Sequence, residues 1–211
     1  SEASIAEGPG RHDATRGRHP FAPQCLLDVA QVEHRSATGR ASEVRTMDAS
    51  FWLARWRAND IGFNLPKPHP ALVEAWGEIG AAPGTQVLVP LAGKSVDMVW
   101  LAEQGHDVLG IELSGTAVAD FFQERSRRPS TTEEHGYRVS RAGPYELWCG
   151  DIFEFPTEAT RRIGAVYDRA ALVAMPYVMQ ADYVRKLAEL TPAGVPMLLV
   201  SLTYDPSEMA G

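Results

Sequence analysis

Four places in the chain carry side chains that could hold a ligand or move charge. They are a glycine turn at Gly93, a carboxylate at Glu112, an acid with an apolar neighbour at Asp151-Ile152, and the adjacent acid and base Asp168-Arg169. About 20 residues separate Gly93 from Glu112, the spacing at which a strand-end carboxylate meets ribose hydroxyls in a doubly wound α/β sheet. Around the pair lie the elements that must position them. Val87-Leu88-Val89 is a short apolar run that Pro90-Leu91-Ala92-Gly93 breaks. Met98, Leu101 and Ala102 recur at helical spacing until Gly105 stops the helix, and Val108 to Ile111 forms a second apolar run ending at Glu112. The pattern predicts a half-site for a nucleoside-bearing cofactor. An ordinary strand-to-helix turn, with Gly93 serving sterics and Glu112 solvated, is the alternative these residues leave open.

What the turn lacks narrows the cofactor. A phosphate cradle of the G-x-x-x-x-G-K-[ST] type would need a glycine where Leu88 stands, and Gly93-Lys94-Ser95 supplies only the tail. A dinucleotide fingerprint needs three close glycines so that pyrophosphate can lie against a helix N-terminus, and only Gly93 is present. A nucleoside ligand without phosphate fits better, and S-adenosylmethionine is the common one.

The blocks Pro90 to Met98, Gly110 to Ser114 and Tyr167 to Leu172 resemble the thiopurine S-methyltransferase family, bacterial branch. Phe51-Trp52 to Trp56, Ile61-Gly62-Phe63, Gly150 to Phe153 and Ser201 to Pro206 follow in that family's order, so the resemblance covers roughly 47–211. It implies an α/β, Rossmann-like class I methyltransferase with a mostly parallel doubly wound sheet and helices on both faces. It implies S-adenosylmethionine as cofactor, held by Trp52, Trp56, Leu91, Gly93, Glu112, Asp151, Ile152 and Arg169. Phe63 and Arg169 would meet the acceptor, a small-molecule thiol (thiopurine or aromatic thiol) or a selenium or tellurium nucleophile. Asp168 and Arg169 are the candidate catalytic pair, Arg169 holding the acceptor and Asp168 taking its proton. The family often has His where this chain has Asn64. Its members also continue several tens of residues past Pro206 into closing antiparallel strands, so the resemblance implies a C-terminally shortened domain whose strand 195–202 has a bare edge.

Other readings of the same residues stay open. Trp52 and Trp56, four apart on one helix face, would also suit a core stripe. Asp151 would suit the N-cap of a short turn, and Asp168-Arg169 an idle surface pair. Two further functions compete: a non-catalytic binder of S-adenosylmethionine or another nucleoside, and a nicotinamide-dependent oxidoreductase, the latter weakened by the missing glycines.

Residues 1–46 balance six acids with six arginines, are rich in Gly, Ser, Ala, Arg and Pro, and are read as a disordered extension. Residues 47–211 are read as one methyltransferase domain carrying the excess acidity. From Ser50, an N-cap candidate, a helix with Phe51, Trp52, Leu53 and Trp56 is expected, then helices over 71–79, beyond Ser114 and over 182–190. Strands are expected over 146–149, 165–167 and 195–202, and a surface loop over 127–135. No apolar run approaches membrane-spanning length, Cys25 and Cys149 are too few for a disulfide framework, and no metal-ligand spacing is present; His69 between two prolines has no partner. A net charge of −7 disfavours nucleic acid. These features suit a cytoplasmic monomer.

Overall fold

The computed structural model describes residues 49–201. The expected disordered segment 1–46 lies outside them, as does the chain after Ser201. The two apolar runs flanking the glycine turn are β1 (Gln86–Pro90) and β2 (Asp107–Glu112). Val87, Leu88, Val108 and Leu109 are fully buried, because helices cover both faces; such strands read as continuous apolar runs. Burying each of these side chains is worth roughly 1.5–3 kcal/mol.

The remaining strands are β3 (Ser130–Glu134), β4 (Tyr137–Ala142), β5 (Tyr145–Cys149), β6 (Ile163–Arg169) and β7 (Met197–Val200). They build one seven-stranded sheet in the order β3-β4-β5-β2-β1-β6-β7. The five strands from β5 to β7 are parallel, while β4 pairs antiparallel with β5 and β3 antiparallel with β4. Chain order reverses direction across the sheet at β1, which lies between β2 and β6. In an open α/β sheet that reversal leaves a crevice at the strands' carboxyl ends.

The helices are α1 (Ala49–Arg57), α2 (Pro70–Ala75), α3 (Asp97–Glu103), α4 (Gly115–Glu124), α5 (Ala171–Ala174) and α6 (Tyr177–Leu190). One core, around Val87, Leu101, Phe121 and Tyr167, fills the face under α2, α3 and α4. The other, around Leu88, Leu109, Trp148 and Tyr183, fills the face under α6.

Several sequence expectations are corrected. The stretch 127–135 is not a loop: Ser130–Glu134 is the outermost strand. Its side chains are polar because almost all face water, so no apolar alternation marks it. Its hairpin to β4 is tight, with His135 at φ 50° and Gly136 at φ 83°. Positive φ at both central residues gives a turn whose twist matches the flanking strands. Arg141 then ties three strands together, meeting Glu134 on β3 and Glu146 on β5. Ser50 lies within the first turn of α1 rather than capping it. The helix expected over 71–79 is α2 followed by a 3-10 turn, Trp76–Ile79, and ends at Gly80 with φ 72°. Helix α6 starts five residues earlier than its apolar spacing suggested, directly after Pro176, and the last strand covers only Met197–Val200. Among the described residues β7 is an edge strand.

Candidate active site

At the carboxyl ends of β1, β2, β5 and β6 lies a cavity of about 340 Å³, within the usual range for small-molecule sites. Every cofactor or substrate residue expected from the sequence lines it: Trp52, Trp56, Phe63, Leu91, Gly93, Glu112, Asp151, Ile152 and Arg169. Asn64 does too.

The floor is the turn after β1. Leu91 has φ 47° and Gly93 φ 53°. Left-handed backbone at a leucine is strained, and strain of that kind concentrates at ligand sites. The turn is fixed by Glu112, whose carboxylate accepts the Gly93 N–H at 2.7 Å through Oε2 and the Ser114 N–H at 2.7 Å through Oε1. Burial pushes the Glu112 carboxyl above the usual glutamate range, opposed by those backbone donors. Each oxygen retains a lone pair for a hydroxyl in the cavity.

Helix α1 closes the cavity from above. The Trp52 and Trp56 rings both pack edge-on against Phe63, at centroid distances of 5.4 and 5.6 Å. Trp56 also lies against the turn: a Cβ at Gly93 would come 3.2 Å from its Cζ2. Trp56 is buried, so it is at once a packed side chain and a cavity wall. Asp151 lines the cavity as well, and its Oδ1 caps the 3-10 turn Ile152–Glu154 through the Phe153 N–H at 3.0 Å. Ile152 is buried beside it.

Asp168 and Arg169 part company. Successive strand residues face opposite sides, so Arg169 follows Tyr167 toward α3 while Asp168 faces α6. The Asp168 carboxylate is 1% exposed, accepts the Tyr183 hydroxyl at 2.7 Å and the Ala171 N–H at 3.2 Å, and does not line the cavity. Burial raises its pKa above the usual aspartate range. Arg169 does line the cavity, held from behind by Asp97 on α3 at 2.6 Å. Sequence reasoning missed Asp97, Ser95 and Tyr167. An acid in the first turn of a helix is too common to stand out. It also missed the apolar wall of Val173, Met175, Pro176 and Met179 from the α5–α6 segment.

The donor set suits an adenosyl sulfonium and opposes a phosphate-bearing nucleotide. Glu112 and Asp151 place negative charge in the cavity. Lys94, the lysine of the Gly-Lys-Ser tail, turns away to Glu124 and Asp120 of α4, at 2.6 and 3.6 Å. His69 uses Nδ1 to cap α2, and no cluster of potential metal ligands occurs among the described residues.

Solved structures share the architecture. A glycopeptide N-methyltransferase, MtfA, in complex with S-adenosylmethionine is 16% identical, with 70% of this chain and 60% of that one covered at a TM-score of 0.51. The Haemonchus contortus phosphoethanolamine N-methyltransferase 2, also with S-adenosylmethionine, is 14% identical, covers 76% and 34%, and scores 0.50. The fold is that of a class I methyltransferase, as the sequence led us to expect. The family model described as thiopurine S-methyltransferase matches residues 47–211. The thiopurine S-methyltransferase of Pseudomonas putida is 45% identical over 165 residues, 78% of this chain and 76% of that protein. That of Azotobacter vinelandii is 44% identical over the same shares. The chain belongs to the thiopurine S-methyltransferase family, and its reaction class is methyl transfer from S-adenosylmethionine. Family membership removes the nicotinamide reading.

Gly93→Ala tests the turn. A side chain at φ 53° costs about 1–2 kcal/mol, and its Cβ presses on Trp56. The expected result is at least tenfold weaker binding of S-adenosylhomocysteine by calorimetry.

Proposed function

We propose that the methyl acceptor is a soft nucleophile: an aromatic thiol of the thiopurine kind, or a selenium or tellurium anion. The observation that carries this is the make-up of the cavity wall. Beside the carboxylates of Glu112 and Asp151 it is lined by the apolar Phe63, Val173, Met175, Pro176 and Met179, with Arg169 as a cation among them. Apolar walls favour a weakly hydrated, polarisable acceptor, and methionine sulfur packs well on aromatic rings. The name carried by the relatives points the same way.

The cofactor, when bound, supplies a methyl group already activated on sulfur, so the protein's task is alignment and dehydration. Glu112 accepts the ribose hydroxyls, Trp56 and Ile152 bracket the base, and Trp52 with Phe63 shields the reacting end from water. Arg169 draws the acceptor's negative charge toward the methyl. A thiol that arrives ionised needs no enzymic base at neutral pH. Residues 47–211 form the catalytic domain in this reading. No helix among the described residues is long and apolar enough to cross a membrane, and the free thiol of Cys149 suits a reducing cytosol.

The test is methyl transfer from S-adenosylmethionine to a panel of aromatic thiols, aliphatic thiols, selenite, phenols and amines. Turnover confined to sulfur and selenium acceptors, fastest with the aromatic thiols, is expected. Transfer to amines or phenols at equal rates would overturn the acceptor assignment.

A further inference from the structure

Asp97 is 1% exposed, and its carboxylate gathers donors from two separate elements. Oδ1 accepts the His69 backbone N–H at 2.8 Å, from the proline-rich segment ahead of α2. Oδ2 accepts the Tyr167 hydroxyl at 2.9 Å and the Arg169 Nε–H at 2.6 Å, both from β6. The Asp97 N–H donates to Ser95 Oγ at 3.1 Å, and that same oxygen lies 3.4 Å from Arg169 Nη2. One edge of the guanidinium is therefore committed to the protein. Its remaining nitrogen, Nη1, belongs to a side chain that lines the cavity.

The charge arithmetic gives this contact a consequence beyond support. The bound cofactor brings a sulfonium into a cavity that Arg169 also lines. At an effective dielectric of about 20, two like charges within about 10 Å of each other repel strongly enough to shift an affinity tenfold or more. A carboxylate on the guanidinium makes the pair neutral and removes most of that repulsion, while leaving a donor for the acceptor. We propose that Asp97 is a positioning residue that fixes the direction of Arg169 and cancels its charge toward the sulfonium, so that the site tolerates the charged cofactor. The neutral product S-adenosylhomocysteine does not need this cancellation. The proposal rests on S-adenosylmethionine occupying this cavity.

The discriminating quantity is the ratio of dissociation constants, S-adenosylmethionine over S-adenosylhomocysteine, measured by calorimetry on the full chain at pH 8. Asp97→Asn raises the ratio roughly tenfold. Adding Arg169→Met to it returns the ratio to the wild-type value, because the uncancelled cation is gone. Tyr167→Phe, which removes a hydrogen bond but no charge, leaves the ratio where it was. Should Asp97→Asn fail to fold, Arg169→Met alone carries the test: with the carboxylate left unopposed, the ratio falls below wild type. Equal weakening of both compounds in Asp97→Asn, or a ratio that the second substitution does not restore, overturns the proposal and leaves Asp97 a structural residue. For Arg169→Met alone, a ratio at or above wild type does the same. A wild-type chain that binds neither compound overturns the cofactor site itself, a result distinct from an unmoved ratio.

Discussion

Glu112→Ala is expected to abolish measurable cofactor binding. In the proposed site the carboxylate accepts hydrogen bonds from the ribose hydroxyls, and hydrogen bonds to a charged group contribute about 1.5–3 kcal/mol each. Two of them correspond to an affinity loss on the order of 10²–10⁴-fold. The same side chain holds the Gly93 and Ser114 amides, so alanine also loosens the turn on which the cofactor rests. Calorimetry with S-adenosylhomocysteine checks the loss, and binding within threefold of wild type would remove Glu112 from the site. Acid should mimic the substitution. Burial raises the carboxyl above its ordinary range, and only the ionised form can accept both a backbone N–H and a hydroxyl on each oxygen. Affinity therefore falls by about tenfold per unit once pH drops below the raised pKa, a midpoint higher than a free glutamate would give. The effect on the ligand-free fold has the opposite sign. A carboxyl whose pKa is raised by folding contributes stability below its unfolded pKa and loses it as pH climbs through the folded one.

How much of this was legible in advance depends on where each signal lives. Strands β1 and β2 announced themselves because burial on both faces leaves an unbroken apolar run, and Glu112 was conspicuous as the charge ending one. Trp56 and Asp151 admitted two readings that the residues alone could not separate, since a packed or capping side chain can also line a cavity. Strand β3 was invisible because Ser-Thr-Thr-Glu-Glu at a sheet edge faces water and has no apolar face to alternate. The available cue was the turn itself, His135-Gly136 next to β-branched threonines. Asp97 could not be found from sequence, because its partners are 28, 70 and 72 residues away and meet only when β6 is laid beside β1. The start of α6 was missed for a simpler reason: Tyr177 and Val178 are exposed apolar residues on its first turn, which blurs the amphipathic period.

The pairing of Asp168 with Arg169 shows the limit of adjacency as an argument, and it leads to the second large effect. Asp168→Ala is expected to lower stability by about 3 kcal/mol, because a buried Tyr183 hydroxyl and the Ala171 N–H lose their acceptor together. For a chain of this size that is a fall of roughly 6–12 °C in the unfolding midpoint. Asp168→Asn keeps an oxygen for the amide and recovers most of it. The two also differ with pH. Burial raises the Asp168 carboxyl, so the wild-type contribution is largest in acid and declines as pH rises through the raised pKa, whereas asparagine does not titrate. Denaturation from pH 4 to 7 should show Asp168→Asn gaining on wild type as pH increases. Turnover separates support from proton transfer. If Asp168 were the base, Asp168→Asn would erase the acid limb of the pH–rate profile. A carboxylate facing α6, with the strand between it and Arg169's side of the sheet, predicts a profile that does not move. Its contribution runs through α5, whose first amide it holds and whose far end leads into the apolar cavity wall proposed to meet the acceptor.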